Sequence, residues 1–202
     1  HMPERLAIPG FRRGRRYLRV EGDGQAYFNL YEVEAFEVLV GPDYLARLNA
    51  PTPGTQQAVA HFRNVTRGLC RVAGSAGIGQ GGVMATLRIV ATAGRDAELR
   101  AYLLDAVVPA LPAQTGVLGA HLGFTDPDGS RIPTAEKQAR NHPTDIPPWV
   151  LLVEGISAAH LRQAMAGPLA GEKLIEHGAA AEALTGVHQL EATRLKTAGA
   201  AG

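Results

Sequence analysis

Three residue types in this chain carry the strongest chemical character: a histidine, an arginine and a glutamate, each set in its own apolar segment. His121 lies in VLGAHLGFT (117–125), on the row Gly119, His121, Gly123 and Thr125. The alternate row, Leu118, Ala120, Leu122 and Phe124, is apolar and suited to packing under helices. Glycines on either side leave the imidazole open, as a general acid or base in contact with a ligand requires. A histidine hydrogen-bonded inside the fold is the plainer alternative. Arg88 falls on the row Met84, Thr86, Arg88 and Val90 of the strand-like residues 83–92. A buried guanidinium needs a carboxylate, and Glu154, on the row Val150, Leu152 and Glu154, is the expected partner. That pair is either structural or catalytic.

Five arginines crowd residues 11–20, with Arg13, Arg15, Tyr17 and Arg19 on one face. Such a strip attracts a carboxylate or phosphate, or as a solvated edge it discourages aggregation. Tyr27, Asn29 and Tyr31 form a polar-aromatic row beside it. There Asn29 and Tyr31 are expected to wall a pocket, or else to stand on a half-exposed face. Residues 126–148 are polar and contain five prolines. A connection of that length is expected to act as a lid, bringing Arg131 or His142 toward a cavity mouth. The remaining histidines show no metal-ligand spacing, and Gly77-x-Gly79-x-Gly81-Gly82 leads into a strand rather than the helix that a dinucleotide fingerprint needs. No cofactor or metal is implied by these patterns.

The 202 residues balance 20 Lys and Arg against 19 Asp and Glu, a net charge of +1 that implies no general attraction to nucleic acid or membrane. Hydrophobic residues at 46% and charged residues at 19% are ordinary for a globular chain. A single cysteine, Cys70, excludes an internal disulfide framework and fits a reducing compartment. No apolar run reaches roughly 18 residues, so a cytoplasmic protein is expected. Strand patterns at 11–20 and 26–33 flank the turn EGDG and read as a hairpin. Helical patterns follow near 42–48 and 56–62, then a strand at 65–73 and a glycine-rich linker at 74–82. Strands are expected at 83–92, 117–125, 149–156 and 187–194. Helices are expected at 96–111, at 158–165 behind an N-capping Ser157, and near 172–177. Residues 197–202 read as a frayed tail.

An internal repeat organises these elements. Gly10-Phe11 answers Gly116-Val117, Leu30-Tyr31-Glu32 answers Leu152-Val153-Glu154, and the strand after Thr66 answers the strand after Thr185. The expected class is α+β with two ferredoxin-like βαββαβ halves: residues 1–78, an incomplete half lacking its opening strand and helix, and residues 79–196. Without that strand, 26–33 has an open edge and 65–73 has no partner in its own half. An intimate homodimer is the expected remedy. A strand from the second half, or direct pairing of 26–33 with 65–73, would also serve.

The chain also resembles an EthD-like family of the dimeric α+β-barrel superfamily. The likeness lies in His1-Met2-Pro3-Glu4-Arg5 through Pro9-Gly10-Phe11, in Arg15-Arg16-Tyr17, in Tyr31-Glu32, in Thr134-x-Glu136-Lys137 and in Trp149-x-Leu151-Leu152-x-Glu154-Gly155. It extends to about residue 194 and specifies fold rather than reaction. The strand and helix that precede the histidine motif in that family have no counterpart here. The resemblance implies a barrel whose concave face binds a small molecule. The expected function is a cofactor-independent enzyme acting on a small organic acid or aromatic degradation product, by isomerase, lyase/decarboxylase or monooxygenase chemistry. His121 would be the general base or acid, paired with Arg88 and Glu154, and Arg88 would hold an anionic group. Asn29, Tyr31, Arg13, Arg15, Arg131 and His142 would serve binding. The alternatives are a non-catalytic small-molecule or haem-binding module, and a structural or regulatory dimer.

Overall fold

Alternation of apolar and polar residues produces nine strands among the described residues, which in this computed structural model are 2–140 and 142–196. They are β1 (Phe11–Gly22), β2 (Tyr27–Val33), β3 (Val65–Thr66), β4 (Cys70–Ala76), β5 (Val83–Ile89), β6 (Val117–Thr125), β7 (Thr144–Asp145), β8 (Trp149–Gly155) and β9 (Leu184–Leu195). Seven of them form one sheet in the order β2-β1-β9-β5-β8-β6-β4, every neighbour antiparallel, while β3 and β7 make a small parallel ladder. His1 and the tail 197–202 lie outside the described residues. No described helix is long and apolar enough to cross a membrane.

The inner four strands, β9-β5-β8-β6, have the fourth-first-third-second order of a βαββαβ unit. Val83, Ala85, Leu87 and Ile89 on β5, with Leu151 and Val153 on β8, are buried against Leu99, Leu103, Leu161 and Leu174 of the covering helices. The first of these helices begins at Asp96, widens into a π turn over Tyr102–Val107 and tightens to a 3-10 turn at Leu111–Ala113. Pro109 has no N–H to return to Asp105, which accounts for the loosened turn before it. Ser157 caps the helix Ala158–Met165, accepting a hydrogen bond from the His160 N–H. On β6 a bulge between Val117 and Gly119 changes the phase of the strand. Val117, Ala120 and Leu122 are therefore buried while Leu118 is only half-buried, so the expected uniform row from Leu118 to Phe124 is broken.

The first half attaches at both edges of this unit. The hairpin β1-β2 adds β1 to β9, and β4 pairs with β6. β4 thus obtains its partner from the second half. With seven alternating strands, the edge strands β2 and β4 run in the same direction. Direct antiparallel pairing of the two is therefore excluded. A closing strand would have to lie between them, and their outer edges carry no ladder among the described residues.

Two expected segments differ. Residues 74–76 belong to β4, so the glycine-rich stretch is not a free linker, and 77–82 folds back on the sheet with the Gly79 N–H donating to Leu118 O. Residues 126–148 are not irregular: they form short helices at Pro127–Arg131 and Ala135–Arg140 and supply β7. This segment packs with the helices Pro42–Asn49 and Pro53–Val59, burying Glu136 between Arg5 and Arg140. It also reaches the end of the curled sheet through β3, where Thr66 Oγ1 accepts hydrogen bonds from Gln25 and Arg88. Arg131 and His142 are exposed on this layer. The buried side of the helix Pro127–Arg131 is taken by Gly129 and Ser130, and that of Ala135–Arg140 by Glu136 and Arg140.

Candidate functional site

A chain of polar side chains crosses the concave face from one edge strand to the other. Ser75 of β4 stands opposite His121 of β6 in register, with Oγ 2.9 Å from His121 Nδ1. His121 Nε2 lies 3.5 Å from Glu154 Oε1 on β8. Glu154 binds Arg15 of β1 through two hydrogen bonds of 3.0 and 3.1 Å, and Arg15 also donates to Glu32 of β2 at 3.0 Å. Arg13 closes the chain with a two-pronged contact to Glu32, at 2.9 and 2.6 Å. Arg15 spans the strands lying between β1 and β8, which it can do only because the sheet is curled.

Burial makes these charges consequential. Glu154 is 2% exposed and Arg15 4%. Desolvation alone would raise the Glu154 pKa, but hydrogen bonds from His121, Arg15 and the Gly81 N–H outweigh it and pull the carboxyl down to about 2. Glu154 is therefore an acceptor only. Its ionised oxygen assigns the proton of His121 to Nε2 and leaves Nδ1 with a lone pair facing the Ser75 hydroxyl. The His121 side chain is 32% exposed, so this base is reachable from outside.

Two glycines make the geometry possible. A Cβ on Gly119 would come within 3.2 Å of His121 Nε2, so the missing side chain is the room the ring occupies. At Gly81 a Cβ would run into the Gly155 backbone, and this close approach is what brings the Gly81 N–H to 2.9 Å from Glu154 Oε2. Beside the polar chain, the concave face is filled by aromatic side chains. Tyr17 packs against Phe28 at 5.6 Å between ring centroids, and Phe28 against His188 at 5.6 Å. The Tyr17 hydroxyl is buried there with no hydrogen-bond partner among the described residues, and desolvation pushes its pKa up to about 12.

The expected site residues are only partly brought together. His121 and Glu154 meet, but Arg88 does not join them. Register sets Glu154 opposite Met84 and Arg88 opposite Val150, four residues and about 13 Å along the strand at about 3.3 Å per residue. Arg88 instead donates to Thr66 at 2.9 Å, and burial lowers its pKa against the pull of Asp145. Arg13 and Arg15, expected to bind a ligand, are engaged by the protein's own glutamates. Asn29 and Tyr31 lie on the opposite face, since they pair with Arg16 and Gly14 while Leu30 pairs with Arg15. Tyr31 packs there on Phe11, and burial raises its pKa to about 12. Ser75 was concealed in the glycine-rich stretch, where nothing in its neighbours distinguishes it. The role of Arg15 had one signal: Glu32 and Glu154 are repeat-equivalent, and one cation serves both.

No group of three or more His, Cys, Asp and Glu among the described residues is placed to hold a metal ion. A cleft of about 630 Å³ between Glu4, Ile8, Asp43 and Arg47 shares no lining residue with the Glu154 cluster.

No protein-family model matches the sequence, and no curated protein does. Solved structures are similar in fold. One, described as an anthrone oxidase-like protein, is 12% identical, covers 94% of this chain and 80% of its own, and superposes with a TM-score of 0.58. Another, a protein of Fusobacterium nucleatum subsp. nucleatum provisionally named a monooxygenase, is 12% identical over 93% of this chain and 79% of its own, with a TM-score of 0.57. Together with the strand order, these likenesses show an α+β fold built on a ferredoxin-like βαββαβ unit.

Proposed function

We propose that the chain is a cofactor-independent enzyme that moves a proton on a small, partly apolar organic acid or aromatic degradation product, with His121 as the base. The observation that carries this reading is His121 itself: partly exposed on the concave face, beside an ionised Glu154, with its Nδ1 turned to the exposed Ser75 hydroxyl. A carboxylate that fixes the tautomer and stabilises the imidazolium makes a histidine an effective base. Removing a proton from an electron-rich carbon acid would open isomerase, lyase/decarboxylase or monooxygenase chemistry, and the names carried by the similar structures favour the last. The finer family likeness, EthD-like, belongs to this same reading, as does a cytoplasmic location, which rests on the single cysteine.

The test uses the whole chain in air without added cofactor, incubated with anthrones, hydroxynaphthoquinones and phenolic or keto acids. Product is followed by mass spectrometry and oxygen uptake by electrode. Conversion by the wild type and a loss of about 100-fold or more in His121→Gln are expected. No conversion of any member, or full activity in His121→Gln, overturns the reading.

One observation favours a second reading, a structural or regulatory homodimer. The packing of Tyr17, Phe28 and His188 fills part of the concave face, and the outer edges of β2 and β4 carry no ladder among the described residues. Light scattering separates a dimer from a monomer.

A further inference from the structure

Ser75 is not required by the proton-transfer reading, yet it occupies the most reactive position beside His121. It lies on an edge strand, exposed, with Oγ 2.9 Å from the unprotonated Nδ1 of a histidine whose other nitrogen is held by a buried carboxylate. That is the order of groups that activates a hydroxyl: nucleophile, base, orienting acid. We propose that Ser75, His121 and Glu154 form an acyl-transfer triad, with Ser75 as the nucleophile toward small esters of apolar carboxylic acids.

Two further features suit this chemistry. An edge strand leaves every second backbone N–H unpaired, and β4 is an edge strand. Either the Ser75 N–H or those of Gly74 and Ala76 therefore face the free edge, beside the position where an ester oxyanion would form. Val72 and Ile78, before and after Ser75 along the chain, are both exposed apolar side chains, a surface for an apolar acyl group.

The steps balance without a further reactant except water. Ser75 Oγ bonds to the acyl carbon as its proton passes to His121 Nδ1, and the carbonyl electron pair moves onto oxygen. The oxyanion collapses, the bond to the leaving oxygen breaks, and the alcohol departs with the proton from Nδ1. Water then attacks the acyl-Ser75 ester, giving its proton to Nδ1. The carboxylic acid leaves and the Ser75 hydroxyl is restored. The triad shares the His121–Glu154 base with the proposed function and so rests on that part of it.

The experiment treats the full chain with a fluorophosphonate and with p-nitrophenyl butyrate. The label is located by peptide mass spectrometry and the nitrophenolate burst by stopped flow. The wild type is expected to take up one label, on Ser75, and to show a burst. Ser75→Ala should lose both, and His121→Gln should slow labelling about 100-fold or more, with circular dichroism confirming that each variant is folded. A label on another residue, no label, or an unchanged labelling rate in His121→Gln overturns the triad. Labelling of Ser75 that depends on His121 supports the triad whatever the aromatic substrates do. An unlabelled Ser75 sinks it while leaving their result standing.

Discussion

Arg15 and Glu154, 139 residues apart in the chain, meet in two hydrogen bonds of 3.0 and 3.1 Å where both are buried. Glu32, the residue equivalent to Glu154 in the first repeat, binds the same guanidinium. Two glutamates from similar sequence motifs thus converge on one cation, and the ion pair ties β1 to β8. Removing one partner leaves a buried charge uncompensated. Arg15→Met should therefore cost about 3–5 kcal/mol in urea unfolding. Replacing both residues, Arg15→Met with Glu154→Leu, should recover most of that loss. A single variant as stable as the wild type would show that the pair does not hold the halves together.

Acid stability should report the same carboxylate. Its folded pKa of about 2 is depressed from the ordinary 4.5, so its contribution is fully present above pH 4.5 and is lost as pH falls toward 2. The shift corresponds to roughly 3 kcal/mol. Unfolding free energies measured between pH 5 and pH 2.5 should fall steeply in the wild type. In Glu154→Gln the slope should be shallower, and equal slopes would mean that another carboxylate dominates.

The Tyr17 hydroxyl is buried without a partner among the described residues, and an unsatisfied polar atom destabilises a fold. Tyr17→Phe should leave the melting temperature unchanged or raise it, with a gain of up to about 1 kcal/mol. A clear loss of stability would reveal a hydrogen bond to that oxygen.

Two glycines should respond oppositely to alanine. Gly54, in the helix Pro53–Val59, has nothing within 4 Å of a built Cβ, and Gly54→Ala should stabilise by about 0.5–1 kcal/mol. Gly81→Ala would push a methyl group into the Gly155 backbone and withdraw the N–H from Glu154. It should cost about 1–3 kcal/mol or more. Thermal unfolding of both variants decides, and a harmless Gly81→Ala would contradict the close approach.

Residue types and their spacing determined a good deal of this protein without the structure. Alternation assigned Val83, Ala85, Leu87 and Ile89 to the helix-covered face of β5, and helical periodicity placed Leu99 and Leu103 against them. The paired motifs around Glu32 and Glu154 pointed to a repeat, and the lone ionisable residues of 117–125 and 149–156 singled out His121 and Glu154. What alternation supplies is a face, not a height along the strand. Arg88 and Glu154 share the concave face and still stand four residues apart in register, whereas Arg15 reaches Glu154 because the sheet curls across its inner strands. Asn29 and Tyr31 were lost to the site by the same limit: which row of a hairpin turns inward depends on what packs outside it, and here Met2, Phe11 and Tyr44 claim that outer face. Ser75 had no local signal, since its chemistry comes from a histidine one strand away. The tertiary structure alone decided these partners, because register and curvature are properties of strand pairing between distant segments.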